Sequence, residues 1–355
     1  MFQDNGISGS LFSILMIIWV LSVLVFEIPS GVVADRYNRK NVVIFGEIIR
    51  IIGYLSWILI PNFFGFAFGF ICWGFKSALR SGALEALVYD NLIELDKVSE
   101  YGKIISRAKF LSLVSIIIVT TFASFLVQFG YSNLIHLSSI SLILSIVSLV
   151  GIKDIRITKH TEQSMKEISI AGFKHIISSK QVIYIILLGQ TFYIMGMLDE
   201  YWGLMSYEMG FTKFEVGIII VSLTIIEAIF LLFVPMFDKI KRISLIILFG
   251  GFIFSFSLKM SPFYTIIILA IVNSLFKAFQ TVIDVRFQNE FKGSIRSTVT
   301  SFKGFLDEIF CASFYGAIAL VSVNNSYKET FFIMGFVTSI LGLLLIVTKK
   351  VLKVK

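Results

Sequence analysis

The chain has 355 residues, 57% of them hydrophobic and only 15% charged, with a mean hydropathy of +0.89. A soluble domain is nearer half apolar and a quarter charged, so this composition excludes a water-soluble globule. The net charge of +8 does not mark a nucleic-acid partner, because the basic residues flank apolar blocks instead of forming one patch.

Eleven apolar blocks follow in chain order, at 8–33, 41–60, 63–88, 104–129, 133–152, 181–205, 214–236, 243–259, 262–284, 294–323 and 327–348. Most are close to the length of about 20 residues that lets a helix cross a hydrocarbon core while satisfying its own backbone. Alternating segments of half that length, the mark of a membrane barrel, are not visible. The expected fold is therefore all-α and polytopic, a helical bundle with about eleven transmembrane helices. Cys72 and Cys311 lie inside apolar blocks, and His136, His160 and His175 are scattered, so neither a disulfide framework nor a metal site is expected. No P-loop or nucleophile motif points to an enzyme or a bound cofactor.

The loops assign sides. Of the Lys and Arg in or next to the connections, 23 fall on one alternating set and three, Lys213, Lys259 and Lys328, on the other. The positive-inside rule then puts the C-terminus in the cytoplasm and Met1 outside, in a multi-pass protein of the cell membrane. The longest polar connection, 153–180, separates five blocks in 1–152 from six in 181–355. From Met165 to Lys180 its apolar residues share one helical face, which predicts an amphipathic helix on the inner membrane surface.

After the first block comes Gly31-Val32-Val33-Ala34-Asp35-Arg36-Tyr37-Asn38-Arg39-Lys40. Gly31 allows close backbone approach. Asp35 can accept hydrogen bonds from a helix N-terminus or a facing arginine, and Arg36, Arg39 and Lys40 point to the cytoplasm. This stretch resembles the signature loop of the major facilitator superfamily, Gly-x-x-x-Asp-Arg-x-Gly-Arg-Lys. It departs at Asn38, and asparagine is the next residue after glycine to visit the left-handed region. Glu27-Ile28-Pro29-Ser30 also fits the resemblance. Two further stretches, Arg80–Asp90 and Leu198–Trp202, resemble a bacterial multidrug-permease-like branch.

The resemblance implies a fold of two helical halves, 1–152 and 181–355, joined by 153–180. It places the signature loop after the family's second helix, which implies a chain shortened by the family's first helix, the alternative being a natural eleven-helix variant. Related halves should echo each other. Asp238-Lys239-Ile240-Lys241-Arg242 is the expected degenerate copy of the loop, with its glycine lost. Gly31, Asp35, Arg36, Arg39, Lys40 and Asp238 are thus the expected conformational latch.

Ionisable groups inside spanning helices are costly and tend to line a pathway. Glu47 with Arg50, and Lys303 with Asp307, have the spacing of pairs on one helix face. Lys76, read as near enough to the outer surface to snorkel, and Arg80 repel unless an acid joins them, with Glu27, Glu85 and Glu227 as candidates. Asp199 and Glu200 are adjacent carboxylates. Away from water two such groups resist being ionised together, and a carboxyl that loads and releases a proton is what proton coupling needs. Asp199, Glu200, Glu85, Arg80, Glu27 and Glu227 are the candidate substrate or coupling groups. Phe192, Tyr193, Met195, Tyr201 and Trp202 would give that region an aromatic, Met-containing lining suited to an amphipathic or cationic ligand.

The resemblance implies a monomeric secondary transporter in the lipid bilayer that moves a small molecule by alternating access, with proton-coupled efflux as the expected mode and no metal, cofactor or nucleic acid. Against efflux stands Ser112–Gly130, which lacks the glycine-proline motif many drug:proton antiporters carry in the fifth family helix. The alternatives are a non-transporting remnant and an uncoupled or nutrient-uptake permease.

Overall fold

A computed structural model describes residues 1–81, 83–153, 179–290 and 295–352. The amphipathic helix expected at 165–180 lies almost wholly outside the described residues. The described chain is helical, without a strand, and divides into two compact units, Met1–Thr161 and Glu162–Lys355.

The N-terminal unit contains α1 (Gly9–Arg36), α2 (Arg39–Leu59), α3 (Phe63–Arg80), α4 (Ala83–Glu94), α5 (Tyr101–Leu126) and α6 (Tyr131–Val150). The C-terminal unit contains α7 (Lys180–Gly196), α8 (Trp202–Glu208), α9 (Lys213–Leu232), the short α10 (Val234–Phe237), α11 (Ile243–Ser257), α12 (Pro262–Asn289), α13 (Ile295–Val321) and α14 (Tyr327–Leu352). Among the described residues nine of the helical segments are long and apolar enough to cross a membrane, and α11 is a shorter apolar helix.

Helix starts are written in side chains. Asn62 accepts from the N–H groups of Phe64 and Gly65 at 3.0 and 3.2 Å. Thr212 and Glu215 form a reciprocal capping box at the start of α9. Three blocks expected to be single helices are broken, one of them, 214–236, at Phe233 just before Pro235. The block 63–88 stops at Arg80 and resumes as α4 at Ala83, after the polar run that begins at Arg80. The block 181–205 is interrupted by a 3₁₀ turn at Met197–Tyr201 that carries Asp199 and Glu200. A tight turn inserted between two α-helical stretches often marks a functional hinge.

In lipid, apolar burial does not drive helices together; close backbone packing does. In the N-terminal unit α3 lies between α1 and α2, and α2 also packs on α6. Gly53 and Gly69 let α2 and α3 touch through backbone, since a Cβ on Gly53 would stand 3.1 Å from the Gly69 carbonyl oxygen. Ser56 Oγ and the Trp57 indole then donate across to the carbonyls of Gly65 and Phe66, at 2.9 and 3.1 Å. In the C-terminal unit α11 and α14 meet along Gly251, Ser255, Gly335, Ser339 and Gly342. A Cβ on Gly251 would lie 2.6 Å from the Gly335 carbonyl oxygen. The opposite faces of several helices are apolar and bare. Phe110 and Phe122 on α5, Leu144 and Val147 on α6, and Ile225 and Ile229 on α9 are exposed, as a hydrocarbon surround requires.

Candidate functional site

The signature loop is tighter than its sequence suggests. Helix α1 runs through Arg36, Tyr37 is extended, and Asn38 caps α2 by accepting from the N–H of Asn41 at 3.1 Å. Asn38 has φ −57°, so it does not take up the left-handed conformation expected in place of glycine. Its side chain does the work instead, as an N-cap. Arg39 forms an ion pair with Asp90 of α4, and Lys40 Nζ reaches the carbonyl oxygen of Val150 at the end of α6, at 3.4 Å. The surroundings of Gly31 and the side chains of Asp35, Arg36 and Glu85, in helices α1 and α4, are not described.

The corresponding loop of the C-terminal unit is also tied down. Arg286 of α12 bonds Asp238 Oδ1 through Nε at 2.9 Å. It also donates to the backbone carbonyls of Asp238 and Ile240.

Within the N-terminal unit, Glu47 and Arg50 do not pair with each other as their spacing suggested. Glu47, only 2% exposed, faces Lys76 of α3 at 3.5 Å. Lys76 is thus held inside the unit by an acid on α2, Glu47, and does not snorkel. Arg50, 4% exposed, lies among three rings. Its guanidinium carbon is 3.9 Å from the Trp73 centroid, 4.1 Å from Tyr54 and 5.0 Å from Trp57. One long bond of 3.5 Å reaches the Gly69 carbonyl oxygen. Aromatic faces can hold a desolvated guanidinium without a carboxylate. Glu27 and Arg80 are exposed.

The C-terminal unit brings acids together around lysines. Lys277 of α12 bonds Asp199, on the 3₁₀ turn, and Glu227 of α9, the latter at 2.6 Å. Asp199 also accepts from Asn273 Nδ2 at 2.9 Å and from the Trp202 indole at 3.0 Å. Glu200 is exposed beside Asp199 and within electrostatic reach of Lys277. Two turns along α12, Asp284 starts a second cluster. Lys303 of α13 faces Asp284 at 3.2 Å and Asp307 at 2.8 Å, and Asp307 accepts from Gln190 of α7. In both clusters one lysine is shared by two carboxylates, and an amide fixes one of the two.

Of the candidate groups, then, Asp199 and Glu227 meet, and Glu200 stands beside them. Position and spacing alone do not single out the hub Lys277 or the amides Asn273 and Gln190. An asparagine inside Ile271-Val272-Asn273-Ser274 and a glutamine inside Leu188-Gly189-Gln190 are the signals that could have found them, since neutral polar groups in spanning helices also need partners. Of the expected aromatic lining, Trp202 reaches the cluster through its indole. Phe192 is fully buried against Phe276 and Phe279, and Tyr201 packs between Tyr315, Tyr327 and Phe331. Met195 and Trp202 are buried too, and only Tyr193 of the five is half-buried. Phe192, Met195 and Tyr201 thus fill the unit's interior.

Residues 1–232 match the Major Facilitator Superfamily. An uncharacterized transporter of Buchnera aphidicola subsp. Schizaphis graminum (strain Sg) is 28% identical over 144 residues; the match covers 40% of this chain but only 35% of the relative's length. Among solved structures, a mutant of the nucleoside transporter NupG superposes with a TM-score of 0.81 at 13% identity, covering 98% of this chain and 93% of its own. A bacterial homologue of the iron transporter ferroportin, in an inward-facing state, gives 0.75 at 14% identity, with 98% and 91% covered. A D-xylose–proton symporter gives 0.69 at 13% identity, with 94% and 87% covered.

Proposed function

The chain belongs to the major facilitator superfamily, and from that premise we propose that it is a secondary active transporter moving a small organic molecule across the cell membrane by alternating access, as proton-coupled efflux. The two units are the two halves of the transport cycle. The C-terminus and the basic loops lie in the cytoplasm, on the strength of the charge asymmetry. The multidrug-permease-like branch is the closest reading of Arg80–Asp90 and Leu198–Trp202, and the chain works as a monomer.

The observation that carries this reading is the cluster at Lys277. Three carboxylates and one lysine sit on or beside helices of membrane-crossing length, where uncompensated charge is expensive and kept for function. A proton on Glu227 would leave Lys277 to Asp199 alone. The ion pair between α9 and α12 would then open, which links protonation to a movement of helices. Arg39–Asp90 and Arg286–Asp238 are the proposed latches of the two halves. The fold neighbours are named for a nucleoside, for iron and for D-xylose with a proton, and a shared fold does not choose a cargo.

Proteoliposomes loaded with a pH-sensitive dye, challenged with a panel of cationic and amphipathic compounds, test this. Compound-dependent proton flux that is lost in Glu227→Gln supports proton-coupled transport. Compound movement without proton flux would leave the alternative, an uncoupled or nutrient-uptake permease.

A further inference from the structure

The cluster at Lys277 holds more acceptors than donors. Asp199 is well supplied, with Lys277, Asn273 and Trp202 all donating to it. Glu227 receives Lys277 only at Oε2, and its side chain is 30% exposed. Asn273 is 4% exposed and spends its amide N–H on Asp199, which leaves its Oδ1 buried with no hydrogen-bond partner. The amide cannot be turned round to cure this, since its oxygen would then face the aspartate. With exposed Glu200 alongside, three carboxyl groups stand around one ammonium on and beside helices of membrane-crossing length, where ions stay only with counter-charges.

We propose that this cluster is a binding site for an ammonium group that donates N–H bonds, carried on the transported molecule. Lys277 shows what the site accepts, because it already seats one such group between Asp199 and Glu227. A second ammonium takes the acceptors that Lys277 leaves open, Asn273 Oδ1, the free edge of Glu227 and Glu200. An ammonium of the –NH₃⁺ kind suits three separate acceptors because it carries three donors. A quaternary ammonium has the charge but nothing to give Asn273 Oδ1, and a buried acceptor left unpaired costs affinity. This inference rests on the transporter reading only for the word transported; the site itself is a matter of binding.

The test uses the full chain purified in detergent, at fixed ionic strength, with its melting temperature followed against ethylammonium, tetraethylammonium and sodium chloride. The expected result is a saturable rise with ethylammonium alone, since a ligand that binds only the folded state stabilises it. The apparent dissociation constant should weaken by about tenfold or more in Glu227→Gln, which is isosteric, and in Asn273→Leu, the loss of one charge-assisted bond in each. An equal rise with tetraethylammonium or sodium would overturn the site's chemistry. So would an unchanged constant in both variants, or no saturable rise with ethylammonium. Binding is read here without a gradient, so a failure would remove the ammonium site and leave the proton-flux assay to judge transport. Intact binding with no flux would do the reverse.

Discussion

In the N-terminal unit the loop after α1 supplies a cation, Arg39, and the end of a later helix supplies the acid, Asp90. In the C-terminal unit the equivalent loop supplies the acid, Asp238, and the end of a later helix supplies the cation, Arg286. The same tether is built twice with its polarity reversed. The interiors differ further. The N-terminal unit matches one lysine to one glutamate and wraps its remaining buried cation in aromatic rings. The C-terminal unit stretches each of two lysines across two carboxylates. Among the described residues the first unit is the more settled, with one cation against the acid it buries, and the second spreads each lysine over two acids, which is why the coupling and recognition chemistry is assigned to the second.

The sharpest way to break that contrast is to delete the cations. Lys277→Met strands Asp199 and Glu227 without their shared cation, and since both side chains are part-exposed the loss should approach but not exceed that of a fully buried pair, about 3–5 kcal/mol. It should abolish a cooperative melt or depress it strongly, and adding Asp199→Asn and Glu227→Gln should restore it. Arg50→Leu strands no carboxylate, because Glu47 keeps Lys76, so its melt should fall much less. If Arg50→Leu proved the worse of the two, the N-terminal unit could not be called the settled one.

Next in size is the seam of the C-terminal unit. Gly251→Ala would drive a methyl to 2.6 Å from the Gly335 carbonyl oxygen, and overpacking of this kind costs about 1–3 kcal/mol. Thermal unfolding in detergent should show that loss, while Gly130→Ala, with open space around it but a φ of +106°, reports backbone strain alone.

The tethers should give the smallest effects, in a set order. The Asp90 side chain is 10% exposed in its pair and that of Asp238 is 55% exposed, so Asp90→Asn should cost more than Asp238→Asn. The exposed pair is worth about 1 kcal/mol at most and should fade in high salt. Exchanging both charges of the Arg39–Asp90 pair should recover part of what the single change loses, read as the rate of compound movement in liposomes.

Much of the fold could be read from the sequence because membrane helices obey a length rule. Apolar runs bounded by Lys and Arg gave most helix ends to within a few residues. The breaks were harder. Nothing in the hydropathy of 181–205 announces a 3₁₀ turn at Met197–Tyr201, since the turn is set by what Asp199 and Trp202 reach in space. The same reason hid the partners of the charges. Spacing along one helix favoured Glu47 with Arg50, but a lysine on the neighbouring helix competes with a residue three positions away, and Lys76 wins. Lys303 with Asp307 did follow its spacing, and the structure adds Asp284 and Gln190, which local periodicity has no means to report.

The seam between α11 and α14 also says where shape change is ruled out. Side chains that interlock can swap one rotamer for another and so offer two arrangements of nearly equal energy, but a backbone laid on a backbone has no second setting. Gly251, Gly335 and Gly342 therefore turn two helices into one beam. Any motion of this unit has to be hosted by its bulkier joints, such as the one where Lys277 holds α9 to α12, with the beam as the still reference against which that joint opens.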